Sequence, residues 1–271
     1  MTLRAIAALF APAIAMLAIG AAQAEPQAEP VDVYAAGSLR GVVAALAPKA
    51  AAMGIELKPS FGGAGELRNR IEHGARPDLL FSADMASPRA LVSEGRTSAP
   101  AIAFARNRLC LVARRSLGLT PGHLVSGLLA KGVRIRTSKP VADPSGDYAM
   151  AMFDRMDAAH PGAGVRLRAK ADAQMTVSTP LSSPGQSMTA ALFHAGLIDV
   201  AVTYCSASSD LLKNAPELTS VAVPDAFDPK PLFGLALLSG SPAAARLALL
   251  LLSDDGQEAI AASGLIPLTP R

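Results

Sequence analysis

Three short runs of small residues stand where a strand should hand over to a helix: Gly37-Ser38, Gly62-Gly63-Ala64-Gly65 and Pro144-Ser145-Gly146. The first turn of a helix leaves backbone N–H groups unpaired and carries roughly half a positive charge, so several such turns facing one cleft can hold an oxyanion without Lys or Arg. Ser38 and Ser145 would each add a hydroxyl. Taken singly, each turn is equally an ordinary helix N-cap. Their convergence is what points to a ligand. The acidic pair Asp143 and Asp147 beside the third turn is unusual company for a dianion, and Arg40 could offset it.

The same serines, with His73, His123, His160 and His194, are raw material for a nucleophile and its base. No G-x-S-x-G elbow occurs, the histidines fall on helices or a loop rather than at strand ends, and no H-x-x-H spacing offers a metal site. The expectation is a binding protein, not an enzyme, with no cofactor and no metal. A receptor outside transport built on the same fold would read identically, because fold does not fix what the loaded protein meets. Met150, Met152 and Met156 read as core packing. Arg134, Arg136, Arg166 and Arg168 alternate as on the solvated faces of strands.

The elements that must position these turns alternate. Val31 to Ala36 reads as a buried strand followed by a helix from Leu39 to Ala52. Ile55 to Phe61 leads through the glycine-rich turn to a helix from Glu66 to His73, and Asp78 to Ser82 leads to a helix from Ser87 to Glu94. A second set follows Phe104: strands at 107–113, 133–136, a weaker one at 165–169, and 198–204, with helices at 121–131, 145–159 and 186–195. A strand at 232–238 and helices at 242–252 and 256–263 close the chain, and 176–185 is a Ser/Thr/Pro-rich loop. Strands alternating with helices after short turns mean α/β units with largely parallel strands. The pattern fits two α/β lobes, the last helices returning to the first.

Composition agrees with a compact chain. Among 271 residues, 51% are hydrophobic and only 17% charged, with 22 Gly and 21 Pro, which excludes disorder, collagen and coiled coil. A net charge of +3, scattered basic residues and 4% aromatics give no footprint for nucleic acid. Arg4, the apolar stretch from Ala5 to Ala22 and Ala22-Gln23-Ala24 read as a cleavable secretory signal over residues 1–24, so export to the periplasm is expected. In an oxidising compartment, Cys110 and Cys205 are either bonded, joining neighbouring strands of the second lobe, or two separate buried thiols.

Val33-Tyr34-Ala35-Ala36-Gly37-Ser38-Leu39, Ser60-Phe61-Gly62-Gly63-Ala64-Gly65-Glu66-Leu67 and Pro77-Asp78-Leu79-Leu80-Phe81-Ser82-Ala83-Asp84 resemble the periplasmic molybdate-binding proteins of ABC importers. The similarity continues through Pro144-Ser145-Gly146-Asp147-Tyr148-Ala149, Val202-Thr203-Tyr204 and Leu251-Leu252-Ser253-Asp254-Asp255-Gly256-Gln257. It implies a type II periplasmic-binding fold: α/β, two lobes, each a mixed, mostly parallel sheet flanked by helices, with lobe one at 25–105 and 229–271 and lobe two at 106–228. It also implies a tetrahedral oxyanion such as molybdate or tungstate held by Ser38, Ala64, Gly65, Ser145, Gln186 and Tyr204, and delivery by a monomer to a membrane permease. One family serine falls at Ala64, which has no hydroxyl, so a different oxyanion or a small organic acid stays open.

Overall fold

The computed structural model describes residues 28–181, 187–213 and 215–268. The proposed leader at 1–24 and Gln186 lie outside them. The first lobe starts with β1 (Glu29–Ala36), a 3-10 turn at Gly37–Leu39, α1 (Arg40–Ala52), β2 (Ile55–Gly62) and α2 (Ala64–Glu72), then β3 (Leu79–Ser82), α3 (Ala86–Ser93) and β4 (Ile102–Arg106). The chain crosses at Asn107-Arg108 into β5 (Leu109–Arg114), α4 (Leu124–Leu129), β6 (Ile135–Arg136), α5 (Pro144–Ala159), α6 (Ala163–Met175), α7 (Met188–His194), β7 (Val200–Tyr204), α8 (Cys205–Leu212) and β8 (Leu218–Ala222). It returns as β9 (Leu232–Leu237), α9 (Pro242–Leu252), α10 (Asp254–Ala262) and β10 (Ile266–Pro267).

The first sheet has the order β10-β4-β9-β3-β1-β2 and the second β6-β7-β5-β8. β1 to β4 run one way with β9 and β10 against them; β6, β7 and β8 run one way with β5 against them. Both sheets are therefore mixed, as expected, but not mostly parallel: three of the five neighbouring pairs in the first and two of the three in the second are antiparallel, because β9, β10 and β5 insert against the common direction. β3 is buried along its whole length, as its unbroken run Leu79-Leu80-Phe81 followed by Ser82 requires of a strand covered on both faces. Phe81, Phe104 and Phe233 stack through centroids 6.1 and 6.3 Å apart inside this sheet. α9 packs on α1, β1 and β9, and α10 packs on α1 and α9.

Residues 165–169 do not form a strand. They lie in α6, where Ala163, Leu167 and Ala171 are buried at four-residue spacing while Val165 is 71% exposed. The alternation Val-Arg-Leu-Arg-Ala mimics a period of two, but the wider window has the helical period. Arg166 and Arg168 thus ride a helix, and Arg168 pairs with Asp154 of α5. β4, α8, β8 and β10 carry no signal that the sequence reading resolved. The segment 121–131 is a 3-10 turn at Pro121–His123 followed by the short α4.

Cys110 and Cys205 are bonded, with Cα atoms 4.8 Å apart. β5 and β7 pair antiparallel with Cys110 opposite Thr203, and Cys205 follows β7 as the first residue of α8, so the bridge ties β5 to the start of α8 rather than joining two strands as expected.

Candidate functional site

α2 begins where β2 stops, and its start is pressed against the loop that precedes α5. A Cβ on Gly63 would collide with the carbonyl oxygen of Ala142, and one on Gly65 with that of Val141, so only glycine allows this approach. The Glu66 N–H donates across the gap to the Ala142 carbonyl at 3.2 Å. Among the described residues, the Ala64 and Gly65 N–H groups have no acceptor. They are the spare donors of an eight-residue-plus helix, as the glycine-rich turn suggests.

α5 spans Pro144–Ala159, within one residue of the helix expected at 145–159. Pro144 occupies the first helical position and Asp143 caps it, its Oδ1 accepting the Ser145 N–H at 3.0 Å. The Ser145 amide is thereby engaged by the protein's own carboxylate. Burial is the main force raising the Asp143 pKa, with Glu66 and Asp147 adding to it against the hydrogen bonds that lower it. Asp147 is raised too, mainly by burial and further by Asp84, and it accepts the Val141 N–H at 2.9 Å. Val141 has φ +70°, a left-handed conformation that a β-branched residue takes only under constraint. The cation whose charge reaches Asp147 is Arg68, whereas Arg40 lies over the Phe61 ring at 4.2 Å.

Tyr204 ends β7 with only 4% exposure, its ring 5.4 Å from Phe233 and 6.4 Å from Tyr148. Its hydroxyl is buried and, among the described residues, has no partner. Burial first, then the negative charges of Asp143, Asp84 and Asp147, push its pKa well above 10, so the hydroxyl remains a neutral donor. Tyr148 differs: its hydroxyl accepts the Leu232 N–H at 3.2 Å and donates to the Leu232 carbonyl at 3.4 Å, and burial raises its pKa to about 12.

Ser38 stands just past the carboxyl end of β1, and its Oγ is likewise buried without a partner among the described residues. It lines a cavity of about 440 Å³ together with Arg40, Ser206, Ser209, Asp210 and Ser263, so the first-lobe serine faces the start of α8, the helix that Tyr204 introduces. The structure thus brings Gly63 to Gly65 against Val141 to Asp143, sets the Asp143 charge near Tyr204, and sets Ser38 opposite the residues that follow Tyr204. Ser145 is 7% exposed at the base of the same loop.

Two further polar residues were not among the site candidates read from the sequence. Asp84 accepts the Ser87 N–H at 2.7 Å and the hydroxyls of Ser82 and Ser87, a helix-start pattern readable from Ser-Ala-Asp-Met-Ala-Ser. Thr137, just beyond β6, is 2% exposed with an unpartnered Oγ1, and its position past a strand's carboxyl end was the one available signal. Three of the four histidines are occupied elsewhere, His73 against the Asn69 carbonyl, His123 against the Thr120 hydroxyl and His160 near Phe227, and His194 is exposed at the end of α7. No group of His, Cys, Asp and Glu among the described residues is placed to hold a metal ion.

Two mixed sheets flanked by helices and linked by two crossovers give the chain the type II periplasmic-binding fold. The family model of bacterial extracellular solute-binding proteins matches residues 31–266, and this chain belongs to that family. It is 30% identical over 217 residues to an uncharacterised protein of Pasteurella multocida (strain Pm70), covering 79% of this chain and 88% of that one. Three solved structures share the fold. The sulfate-binding protein SubI of Mycobacterium tuberculosis superposes with a TM-score of 0.73 at 16% identity, over 89% of this chain and 88% of that one. The periplasmic molybdate-binding protein of Azotobacter vinelandii has a TM-score of 0.67 at 19% identity, over 89% and 100%. Iron-bound HitA from Pseudomonas aeruginosa has a TM-score of 0.63 at 18% identity, over 89% and 86%. The named ligands differ while the fold does not.

Proposed function

We propose that this protein is an exported receptor that binds an oxyanion between its lobes and delivers it, as a monomer, to the membrane permease of an ABC importer. The observation that carries the reading is the pair of buried, partnerless hydroxyls of Ser38 and Tyr204, one from each lobe. Burying such a group without a hydrogen bond costs about 1–3 kcal/mol, which a bound anion would recover. The spare N–H groups of Ala64 and Gly65 supply further donors, Ser145 borders the same loop, and Gln186 is carried as a sixth candidate. The lobes would be 25–105 with 229–271, and 106–228, closing about the crossovers at Asn107-Arg108 and 223–231.

Molybdate or tungstate is the ligand that the sequence resemblance favours, and the absent hydroxyl at Ala64 counts against it. A thermal-shift screen of the purified protein against molybdate, tungstate, sulfate, phosphate and small carboxylates tests the reading. A ligand at 100 times its Kd stabilises the folded state by about 2.7 kcal/mol, a shift of several degrees. No shift with any anion would refute the oxyanion assignment.

A further inference from the structure

A cavity of about 310 Å³ lies beside the anion donors without including them. Gly63, Asp143 and Thr203 line it, and these are the neighbours of Ala64, Ser145 and Tyr204 in the chain. Its walls come from both sheets' surroundings: Gly63 and Glu66 from the start of α2, the loop from Thr137 to Asp143 between β6 and α5, and the rest from β6, β7 and the start of α7. Thr137 is part of that wall, 98% buried by its 2% exposure, and its Oγ1 has no partner among the described residues.

A bare tetrahedral oxyanion does not account for this space. Four oxygens on one centre fill little of a volume that falls at the lower end of small-organic-ligand pockets, roughly 300–1,000 Å³. The chemistry of the walls also departs from what a dianion wants. Glu66 and Asp143 are acceptors, Thr137, Ser138, Thr189 and Thr203 are hydroxyls able to donate or accept, Lys139 is a single ammonium set against those two carboxylates, and Arg136 is already spent on the carbonyls of Gln174, Met175 and Val177 at the end of α6. Such a surface matches a group that offers hydroxyl donors as well as acceptors, and Glu66 and Asp143 repel a second full negative charge.

We infer that this cavity is a subsite for the hydroxyl-bearing carbon body of an organic oxyanion, a phosphorylated polyol or hydroxy acid, whose anionic head sits at Ser38, Ala64, Gly65 and Tyr204. The inference rests on the oxyanion reading of the head site. Thr137 Oγ1 is the specificity-determining contact to the body, and Glu66 and Asp143 accept from its hydroxyls.

Titration calorimetry on wild type, Thr137→Val and Ser38→Ala with inorganic phosphate, molybdate, glycerol 3-phosphate and a hexose 6-phosphate tests it. Wild type should bind at least one of the organic phosphates about 10-fold or more tighter than inorganic phosphate or molybdate. Thr137→Val should weaken that organic ligand about 3- to 10-fold, the worth of one hydrogen bond, and by more than it weakens inorganic phosphate. Its ligand-free melting temperature should equal or exceed that of wild type, because the hydroxyl it removes has no partner to lose. Ser38→Ala should weaken organic and inorganic phosphate alike. A bare oxyanion bound more tightly than either organic phosphate overturns the subsite and leaves the oxyanion reading standing. Organic binding untouched by Thr137→Val in a variant that melts normally also overturns it. Failure of all four anions to bind overturns the head site and the subsite together.

Discussion

Arg108 and Asp228 meet where the two crossovers run side by side, Arg108 Nε lying 3.3 Å from Asp228 Oδ2, and the carboxylate is fully buried. The other oxygen, Oδ1, accepts the N–H groups of Leu109 at 3.4 Å and Lys230 at 3.0 Å. Arg108 also reaches Asp225 at 2.6 Å and the Val223 carbonyl at 3.2 Å. One carboxylate thereby ties the outgoing segment to the returning one. Removing it leaves the Leu109 and Lys230 amides without this acceptor while Arg108 keeps Asp225, so Asp228→Ala should cost about 1–3 kcal/mol in urea unfolding at unchanged m value. A cost below about 1 kcal/mol would mean that the pair contributes no more than a surface contact.

The two partnerless hydroxyls predict a dissociation between stability and binding. Tyr204→Phe and Ser38→Ala should each weaken the anion found by screening by roughly 10- to 150-fold, the worth of a hydrogen bond to a charged group. The ligand-free variants should unfold no more easily than wild type, since no partner is lost. Calorimetry and thermal melts on the same preparations check both halves, and an unchanged Kd in either variant removes that residue from the site.

Asp143 gives a pH prediction with a definite sign. Its folded pKa lies above its ordinary 3.8 because of burial, so it holds its proton more tightly in the folded chain. Its ionisation is neutral in effect at low pH and turns destabilising as pH rises past 3.8 and through the folded value. Asp199, lowered chiefly by its hydrogen bond with Arg134, runs the opposite way, its stabilisation being lost as pH falls. Comparing Asp143→Asn with wild type cancels Asp199, and asparagine still caps α5. The variant should gain stability relative to wild type as pH climbs from about 4 to 7, and should bind an anion more tightly at neutral pH. A gap that narrows with rising pH would contradict this.

For the cysteines, thiol titration of denatured, unreduced protein should find no reactive thiol at Cys110 or Cys205. Replacing both with alanine should cost about 2–5 kcal/mol, in keeping with a crosslink between residues 95 apart. Two reactive thiols per chain would show the bond does not form.

What could be read from sequence was local. The strand-turn-helix units around Gly37-Ser38 and Gly63-Ala64-Gly65 are legible because a buried strand, a glycine turn and a four-residue apolar period follow one another without a gap. α6 misled because five residues happened to alternate, and only the burial of Ala163, Leu167 and Ala171 reveals its period. The antiparallel β5 was invisible, since strand direction depends on partners far along the chain. At the site, the strand-end positions of Ser38 and Tyr204 could be read, but the orphaned state of their hydroxyls could not. Thr137 went unnoticed because a lone threonine in a loop carries no pattern, and its role comes from the cavity that distant segments enclose.

The place of β9 in the first sheet has a consequence for how the chain folds. β9 sits between β3 and β4, yet it is separated from them in sequence by the entire second lobe. Among the described residues, the strands of the second sheet, β5 to β8, pair only with one another, so their contacts can form without the two chain ends. The first lobe must hold β4 apart from β3 until its central strand arrives, which is loop closure over a long distance and therefore slow. Collapse should accordingly begin in the middle of the chain and finish at its two ends, with the unfilled slot beside the fully buried β3 as the exposed edge while the molecule waits.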